Sequence, residues 1–150
     1  MLIGIIANIT KENVFQVVSS FISKLKQNNL DYILTKSLSE DKDKLKIELF
    51  DDFITDDKEV YEKADLIISI GGDGTMLATA FNAQFYDKPV LGVNLGKLGF
   101  LVEANIDQMD KIIKELKEGK YSVEERMVIS GEALGHETDK LYAVFYFLIL

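Results

Sequence analysis

The chain has 150 residues, 47% of them hydrophobic and 28% charged, with a formal net charge of −8. This composition predicts a soluble folded domain with a real core and excludes a disordered chain. The acidic balance disfavours nucleic-acid binding, which needs a basic face toward phosphate. With no cysteine and one histidine, His136, the sequence excludes a disulfide framework and disfavours a zinc-hydrolase centre. No stretch approaches the roughly 18 apolar residues of a membrane span, so we expect a cytoplasmic protein without a membrane partner.

The first 36 residues predict a β-α-β unit, which builds parallel sheets. Residues 2–8 form a continuous apolar run, typical of a strand buried on both faces rather than of a signal peptide. Thr10 is predicted to cap a helix over residues 11–27, because apolar residues recur there with helical spacing. Residues 31–36 are predicted to form the second strand.

An acidic segment follows the β-α-β unit. Residues 39–65 hold 11 acids and 5 bases, which gives a net charge of −6 out of the chain's −8. A solvated connection is the favoured interpretation, and a docking surface for a basic partner is the alternative. Its apolar residues fit a strand period and a helix period equally, so its secondary structure stays open.

The rest of the chain alternates strands with helices. Apolar runs predict strands over residues 64–70, 90–94, 121–134 and 141–150, and amphipathic spacing predicts helices over residues 75–85 and from Asp107 to Gly119. A polar turn over residues 135–140, which contains His136, is predicted to lie at the surface. This alternation predicts an α/β fold with a doubly wound, mostly parallel sheet flanked by helices.

The most informative loop is Gly71-Gly72-Asp73-Gly74-Thr75, between a predicted buried strand and a helix. In an open parallel sheet, ligands bind at the carboxyl ends of the strands, and glycines let the backbone approach a phosphate closely. Asp73 is suited to polarise a hydroxyl or to hold a divalent metal, and the helix N-terminus should make it a weaker base. The alternative is a tight turn in which Asp73 and Thr75 act only as caps.

A second glycine-rich loop leaves the next strand, with the sequence Gly92-Val-Asn94-Leu-Gly96-Lys97-Leu-Gly99-Phe100. Gly96 and Gly99 permit close backbone approach, Lys97 suits a phosphate, and Phe100 suits stacking on a heterocycle. The alternative is a bent connection with Phe100 in the core. Neither a P-loop nor a Rossmann glycine fingerprint is present, which disfavours a standard hydride-transfer enzyme.

Together, residues 71–77 (GGDGTML) and residues 90–101 (VLGVNLGKLGFL) resemble the two motif blocks of the NAD kinase family. The first block is shared with lipid kinases of the diacylglycerol kinase type, whereas the second is more specific. The resemblance covers about residues 2–134. It implies a transferase that moves the γ-phosphate of ATP, or in some members of polyphosphate, to the 2′-hydroxyl of the adenosine ribose in NAD. The product is NADP, and a divalent metal such as magnesium is required.

The resemblance also implies roles for individual residues. Asp73 matches the proposed base for the ribose hydroxyl and is a possible metal ligand. The remaining residues of the two blocks are candidates for binding the nucleotides ATP and NAD. These candidates are Gly71, Gly72, Gly74, Thr75, Leu77, Asn94, Gly96, Lys97, Gly99 and Phe100.

The chain departs from the family at its C-terminal end. Family members continue into a β-rich second domain of similar length, and full-length members are expected to form homo-oligomers. We therefore predict an α/β nucleotide-binding domain over residues 1–134 and the start of a truncated second domain over residues 135–150. Phe145 and Tyr146 stand where the family carries a polar pair that grips the ribose of NAD, so this chain is expected to be an incomplete or inactive form.

Two other functions stay open at this point. One is a non-catalytic module that binds nucleotides or a partner. The other is a lipid or sugar kinase of the same superfamily, although residues 76–79 (MLAT) stand where the lipid-kinase pattern has Asn-Glu.

Overall fold

The computed structural model describes residues 1–39, 42–45, 54–96, 99–102, 104–126 and 145–149. Within these ranges the chain forms eight strands and six α-helices. The strands are β1 Leu2–Ala7, β2 Asp31–Thr35, β3 Ile54–Thr55, β4 Leu66–Gly71, β5 Val90–Asn94, β6 Ala104–Asn105, β7 Ser122–Arg126 and β8 Phe145–Ile149. The helices are α1 Val14–Gln27, α2 Lys36–Ser39, α3 Lys42–Leu45, α4 Asp57–Lys63, α5 Asp73–Ala83 and α6 Met109–Glu118.

The described strands form one sheet in the order β3-β2-β1-β4-β5-β8-β7, and β6 pairs with β5 beside this path. Strands β1 to β6 run parallel to their neighbours, whereas β7 and β8 pair antiparallel. Because the chain moves from β1 to β2 on one side and from β4 to β5 on the other, its direction reverses between β1 and β4. The predicted doubly wound, mostly parallel α/β sheet is confirmed.

Apolar residues cover both faces of the central strands, which explains why their sequences do not alternate with polar residues. On one face, Ile68 and Ile70 of β4 pack with α1 and α6. On the other face, Ile67 of the same strand packs with α4 and α5. The helices therefore hold the sheet between two layers, and its carboxyl edge stays available to the loops that follow β1, β4 and β5.

The start of α1 differs from the sequence prediction. The helix begins at Val14, and Asn13 before it adopts a left-handed backbone conformation with φ of 63°. The Thr10 hydroxyl instead donates a hydrogen bond to Asn8 Oδ1, at 2.7 Å. The prediction that Thr10 caps this helix is therefore wrong, because Asn8 holds Thr10 in a tight turn ahead of it.

The described part of the acidic segment is mainly helical. Helix α4 begins where the Asp56 carboxylate accepts a hydrogen bond from the backbone N–H of Glu59, at 2.9 Å. Its charged residues form exposed pairs one turn apart, such as Lys63 with Glu59 at 3.2 Å. Such pairs stabilise a helix weakly and keep it solvated, in keeping with the favoured interpretation of this segment.

The C-terminal strand β8 joins the same sheet, with Phe147 opposite Val90 of β5 and opposite Glu124 of β7. The predicted continuation of the preceding strand to residue 134 and the polar turn with His136 lie outside the described residues. A domain boundary after residue 134 stays a prediction. None of the helices in the described ranges is long and apolar enough to cross a membrane.

A buried hydrogen bond ties α5 to the sheet. The hydroxyls of Ser69 on β4 and Thr79 on α5 are 3.0 Å apart, and both residues are buried. Because buried polar groups are costly unless paired, this bond helps to fix how α5, which starts at the glycine loop, sits on the sheet.

The raised pKa of Tyr61 predicts that the fold loses stability at alkaline pH. Burial, followed by the negative charge of Asp57, raises the pKa of Tyr61 from 10.0 to about 12. A raised pKa in the folded state stabilises the fold fully below the unfolded value, and this contribution is lost as the pH rises from 10 to about 12. Denaturant unfolding across this interval should show the free energy of unfolding falling more steeply for the unsubstituted chain than for Tyr61→Phe. Equal slopes for the two proteins would contradict this assignment.

Candidate functional site

The candidate site lies at the carboxyl edge of the sheet, where the chain direction reverses. Three loops start there: one after β1, one after β4 and one after β5. Gly71 at the end of β4 and Asn94 at the end of β5 are direct neighbours across the parallel pair. The structure therefore brings the starts of the two glycine-rich loops together, as the parallel sheet predicted.

The first loop is short, and its glycines serve different needs. A Cβ on Gly71 would lie 2.6 Å from Thr75 Cβ, so this position must be glycine for the turn to close. A Cβ on Gly72 or Gly74 would meet no atom within 4 Å. These two glycines leave open space in front of the N-terminus of α5, where backbone N–H groups favour an anion.

Asp73, the first residue of α5, connects the two loops. Its Oδ2 accepts a hydrogen bond from the backbone N–H of Phe100 at 2.9 Å, and its Oδ1 accepts one from that of Leu101 at 3.1 Å. The N–H of Phe100, followed by that of Leu101, lowers the pKa of Asp73 below its ordinary value of 3.8. A lowered pKa makes Asp73 a weaker base, and its main cause here is the second loop rather than the predicted helix N-terminus.

Gly99 makes the contact between the loops possible. A Cβ on Gly99 would overlap the carboxylate of Asp73. A carboxylate can approach this backbone only where no side chain intervenes, so glycine is needed here for close packing of the loops. By contrast, a Cβ on Gly96 would meet no atom within 4 Å.

Asn94 shapes the start of the second loop. The residue is only 5% exposed, and its Oδ1 accepts a hydrogen bond from the backbone N–H of Gly96 at 2.9 Å. The N–H of Leu95 donates to the carbonyl oxygen of Gly71, at 3.3 Å. These two hydrogen bonds turn the chain back toward the first loop. The observed role of Asn94 is therefore to stabilise the start of the second loop.

Two apolar candidates lie at the surface of the site. Phe100 is 100% exposed, so the alternative that places its ring in the core is wrong. Leu77, on the first turns of α5, is 40% exposed. An exposed aromatic ring beside glycine loops is suited to stack on a heterocycle. Lys97, the predicted phosphate contact, lies outside the described residues.

The loop after β1, which was not among the predicted site residues, also lies at this edge of the sheet. The backbone N–H of Asn8 donates to the carbonyl oxygen of Ile70 at 3.1 Å, which places this loop beside β4. Asn8 Oδ1 also accepts a hydrogen bond from the N–H of Thr10, at 3.1 Å. The available signal was a pair of polar residues directly after a buried strand, at the end that parallel sheets use for ligands.

A protein-built metal site is not found in the described part of the chain. No group of three or more His, Asp or Glu side chains lies close enough together there to hold a metal ion. Both oxygens of Asp73, the predicted ligand, accept backbone hydrogen bonds. The described residues therefore do not form a cage for a resident metal.

Comparison with known proteins shows which family the chain resembles. The family model of the ATP-NAD kinase N-terminal domain matches residues 3–121. The NAD kinase of Clostridium perfringens is 37% identical over 129 residues, which are 85% of this chain and 42% of that protein. The NAD kinase of Natranaerobius thermophilus is 36% identical over 132 residues, which are 88% of this chain and 44% of that protein.

The fold agrees with a solved structure of the same kind. The crystal structure of yeast NADH kinase complexed with NADH matches with a TM-score of 0.75 and 18% identity, covering 97% of this chain and 46% of that chain. The chain thus spans less than half the length of these relatives. Because the family model covers most of its residues, this chain belongs to the ATP-NAD kinase N-terminal domain family.

Proposed function

We propose that this chain supplies the α/β half of an NAD kinase. The reaction transfers the γ-phosphoryl group of ATP to the 2′-hydroxyl of the adenosine ribose in NAD. A new bond forms between the ribose oxygen and phosphorus, the bond from the γ-phosphorus to the β–γ bridging oxygen breaks, and the products are NADP and ADP. The observation that carries this proposal is Asp73, held between two glycine-rich loops at the carboxyl edge of a doubly wound sheet.

The geometry supports phosphoryl transfer by positioning and charge. The open space at Gly72 and Gly74 gives nucleotide phosphates access to the N-terminus of α5. The lowered pKa of Asp73 keeps its carboxylate ionised at neutral pH, so it accepts a hydrogen bond from the ribose hydroxyl. Asp73 is a weak base, so it does not remove the proton of the 2′-hydroxyl before the reaction begins. The proton passes to Asp73 late, as the bond between the ribose oxygen and the γ-phosphorus forms.

Magnesium enters this proposal with the substrate. Mg²⁺ in kinase sites is held by one or two carboxylates together with substrate phosphates. In this proposal the ion enters with ATP as MgATP, and no resident site is assigned to it among the described residues. Its chemistry there is to neutralise charge on the phosphates.

We propose that full activity also needs a second region like the one outside the match in these relatives. The region that matches this chain is 42% and 44% of the length of those two NAD kinases. A non-catalytic nucleotide-binding module is the second candidate, because the open space at Gly72 and Gly74 before α5 suits phosphate binding and does not by itself require turnover. Identity with NAD kinases argues against a lipid or sugar kinase.

An assay with two proteins separates these functions. One protein is the 150-residue chain, and the other is this chain fused to the part of the Clostridium perfringens NAD kinase that follows the matched region. Each is incubated with MgATP and NAD, and NADP is measured with an NADP-specific dehydrogenase. The proposal predicts nucleotide binding by both proteins and NADP formation by the fusion. A folded fusion that binds NAD without forming NADP would favour the non-catalytic module, and failure of both proteins to bind either nucleotide would contradict both functions.

A further inference from the structure

The second loop depends on Asp73 for its position. Among the described residues of the loop, Phe100 is fully exposed and Gly99 is exposed, whereas Leu101 is partly buried and packs against the cluster that contains Val102. The backbone N–H groups of Phe100 and Leu101 both donate to the carboxylate of Asp73. Hydrogen bonds to an ionised acceptor are shorter and stronger than neutral ones. The carboxylate is therefore the main restraint on the backbone of Phe100, whereas Leu101 is also held by its apolar packing.

The loop is anchored immediately after this contact. Val102 is 1% exposed and packs with Met76 of α5 in the cluster on that face of the sheet. It also lies over Gly92 of β5, where an added Cβ would be 3.1 Å from Val102 Cγ2. Val102 fixes one end of the segment, and Asp73 extends the ordered backbone from there to Phe100.

We infer that Asp73 is a positioning residue for Phe100, in addition to any role toward a substrate hydroxyl. Its carboxylate latches the backbone of Phe100 and Leu101 to the start of α5, which holds the exposed Phe100 next to the first glycine-rich loop. Gly99 is the second part of this latch, because a side chain there would overlap the carboxylate and force it apart from the loop backbone. The latch consists only of residues of this chain, so it stands whether or not the chain takes part in phosphoryl transfer.

The latch also explains how a ligand affects the loop. Each Asp73 oxygen already accepts a loop N–H. A hydroxyl that binds this carboxylate shares an oxygen with, or replaces, one of those donors. The position of Phe100 is therefore coupled to whether a ligand hydroxyl is bound to Asp73. If the Phe100 ring stacks on the same ligand, this contact replaces part of the restraint that the lost hydrogen bond supplied.

A tryptophan reporter tests the latch directly. The chain has no tryptophan, so Phe100→Trp gives a single fluorophore at the loop. In this background, the 150-residue chain without nucleotide is compared with Asp73→Asn, Asp73→Ala and Gly99→Ala. Asp110→Ala is the matched control, because it removes an exposed carboxylate that pairs with Lys24 of α1 and not with the loop backbone. Fluorescence anisotropy reports the motion of residue 100, and amide hydrogen exchange reports the N–H groups of residues 100 and 101.

Asp73→Ala and Gly99→Ala should both lower the anisotropy and speed exchange at residues 100 and 101 by roughly tenfold or more, the factor expected for one charge-assisted hydrogen bond. Asp73→Asn keeps one acceptor oxygen and should fall between these variants and the parent. Slow exchange of core amides such as Ile68 shows that each variant is folded. If Asp73→Ala does not fold, Gly99→Ala still tests the latch, because it keeps the Asp73 side chain but separates its carboxylate from the loop backbone. Parental anisotropy and exchange at residue 100 in folded Asp73→Ala or Gly99→Ala would overturn the latch.

Discussion

Asp73→Ala is expected to lower NADP formation by the fusion protein about 100-fold or more, the scale of a lost general base or of a misplaced reacting group. The substitution removes the acceptor for the ribose hydroxyl and releases the backbone of Phe100 and Leu101. The measurement is the initial rate of NADP formation at saturating MgATP and NAD.

Gly99→Ala separates the two roles of Asp73. It leaves the carboxylate present but displaces the loop, so it should raise the KM for NAD more than it lowers kcat. Asp73→Ala should lower kcat itself. The control Asp110→Ala should keep the parental rate. A folded Asp73→Ala fusion with parental turnover would show that the role assigned to Asp73 is wrong.

Phe21→Ala is expected to lower the free energy of unfolding by about 3–5 kcal/mol. Phe21 lies on α1, is 0% exposed, and packs in the cluster between α1, α6 and the sheet. Domains are stable by only about 5–15 kcal/mol, so this loss is a large part of the total. Denaturant unfolding measures it directly, and a thermal scan should show a fall in Tm of roughly 6–20 °C for a chain of this size.

Phe100→Ala is the matched control for this core substitution. It removes the same side chain from a position that is 100% exposed, so the free energy of unfolding should change by no more than about 0.5 kcal/mol. The two variants together show which aromatic residue stabilises the fold and which is free to contact a ligand. If both substitutions lowered the free energy of unfolding equally, the result would contradict the buried position of Phe21 and the exposed position of Phe100.

The sequence predicted the frame of the molecule because its signals there are local. The apolar runs at β1, β4 and β5 are long enough to specify buried strands, and β5 has the predicted bounds of residues 90–94. Alternation with amphipathic helices then requires a parallel sheet, which brings the ends of β4 and β5 together. The shared edge of the two glycine loops was therefore predictable from strand order alone.

The contacts within the site were not predictable in the same way. Asp73 accepts hydrogen bonds from backbone N–H groups that are 27 and 28 residues away in the chain. Because nearly every residue has a backbone N–H, the sequence does not show which of them is the donor. The sequence shows that Gly99 is a glycine, but only the structure shows that the Asp73 carboxylate occupies the space of its missing side chain. Thr10 was misassigned because a helix cap and a tight turn with Asn8 use the same polar residues.

The most direct test of the site is a two-dimensional amide NMR titration of the 150-residue chain with NAD and, separately, with MgATP. If the nucleotides bind at the sheet edge formed by the two glycine-rich loops, the amide signals of residues 71–75 and 99–101 should shift in a saturable way. The signals of Lys117 and Glu118, which are exposed at the C-terminal end of α6, should stay fixed. Saturable shifts confined to another surface, or no shifts at all with either nucleotide, would contradict the placement of the nucleotide site at this edge of the sheet.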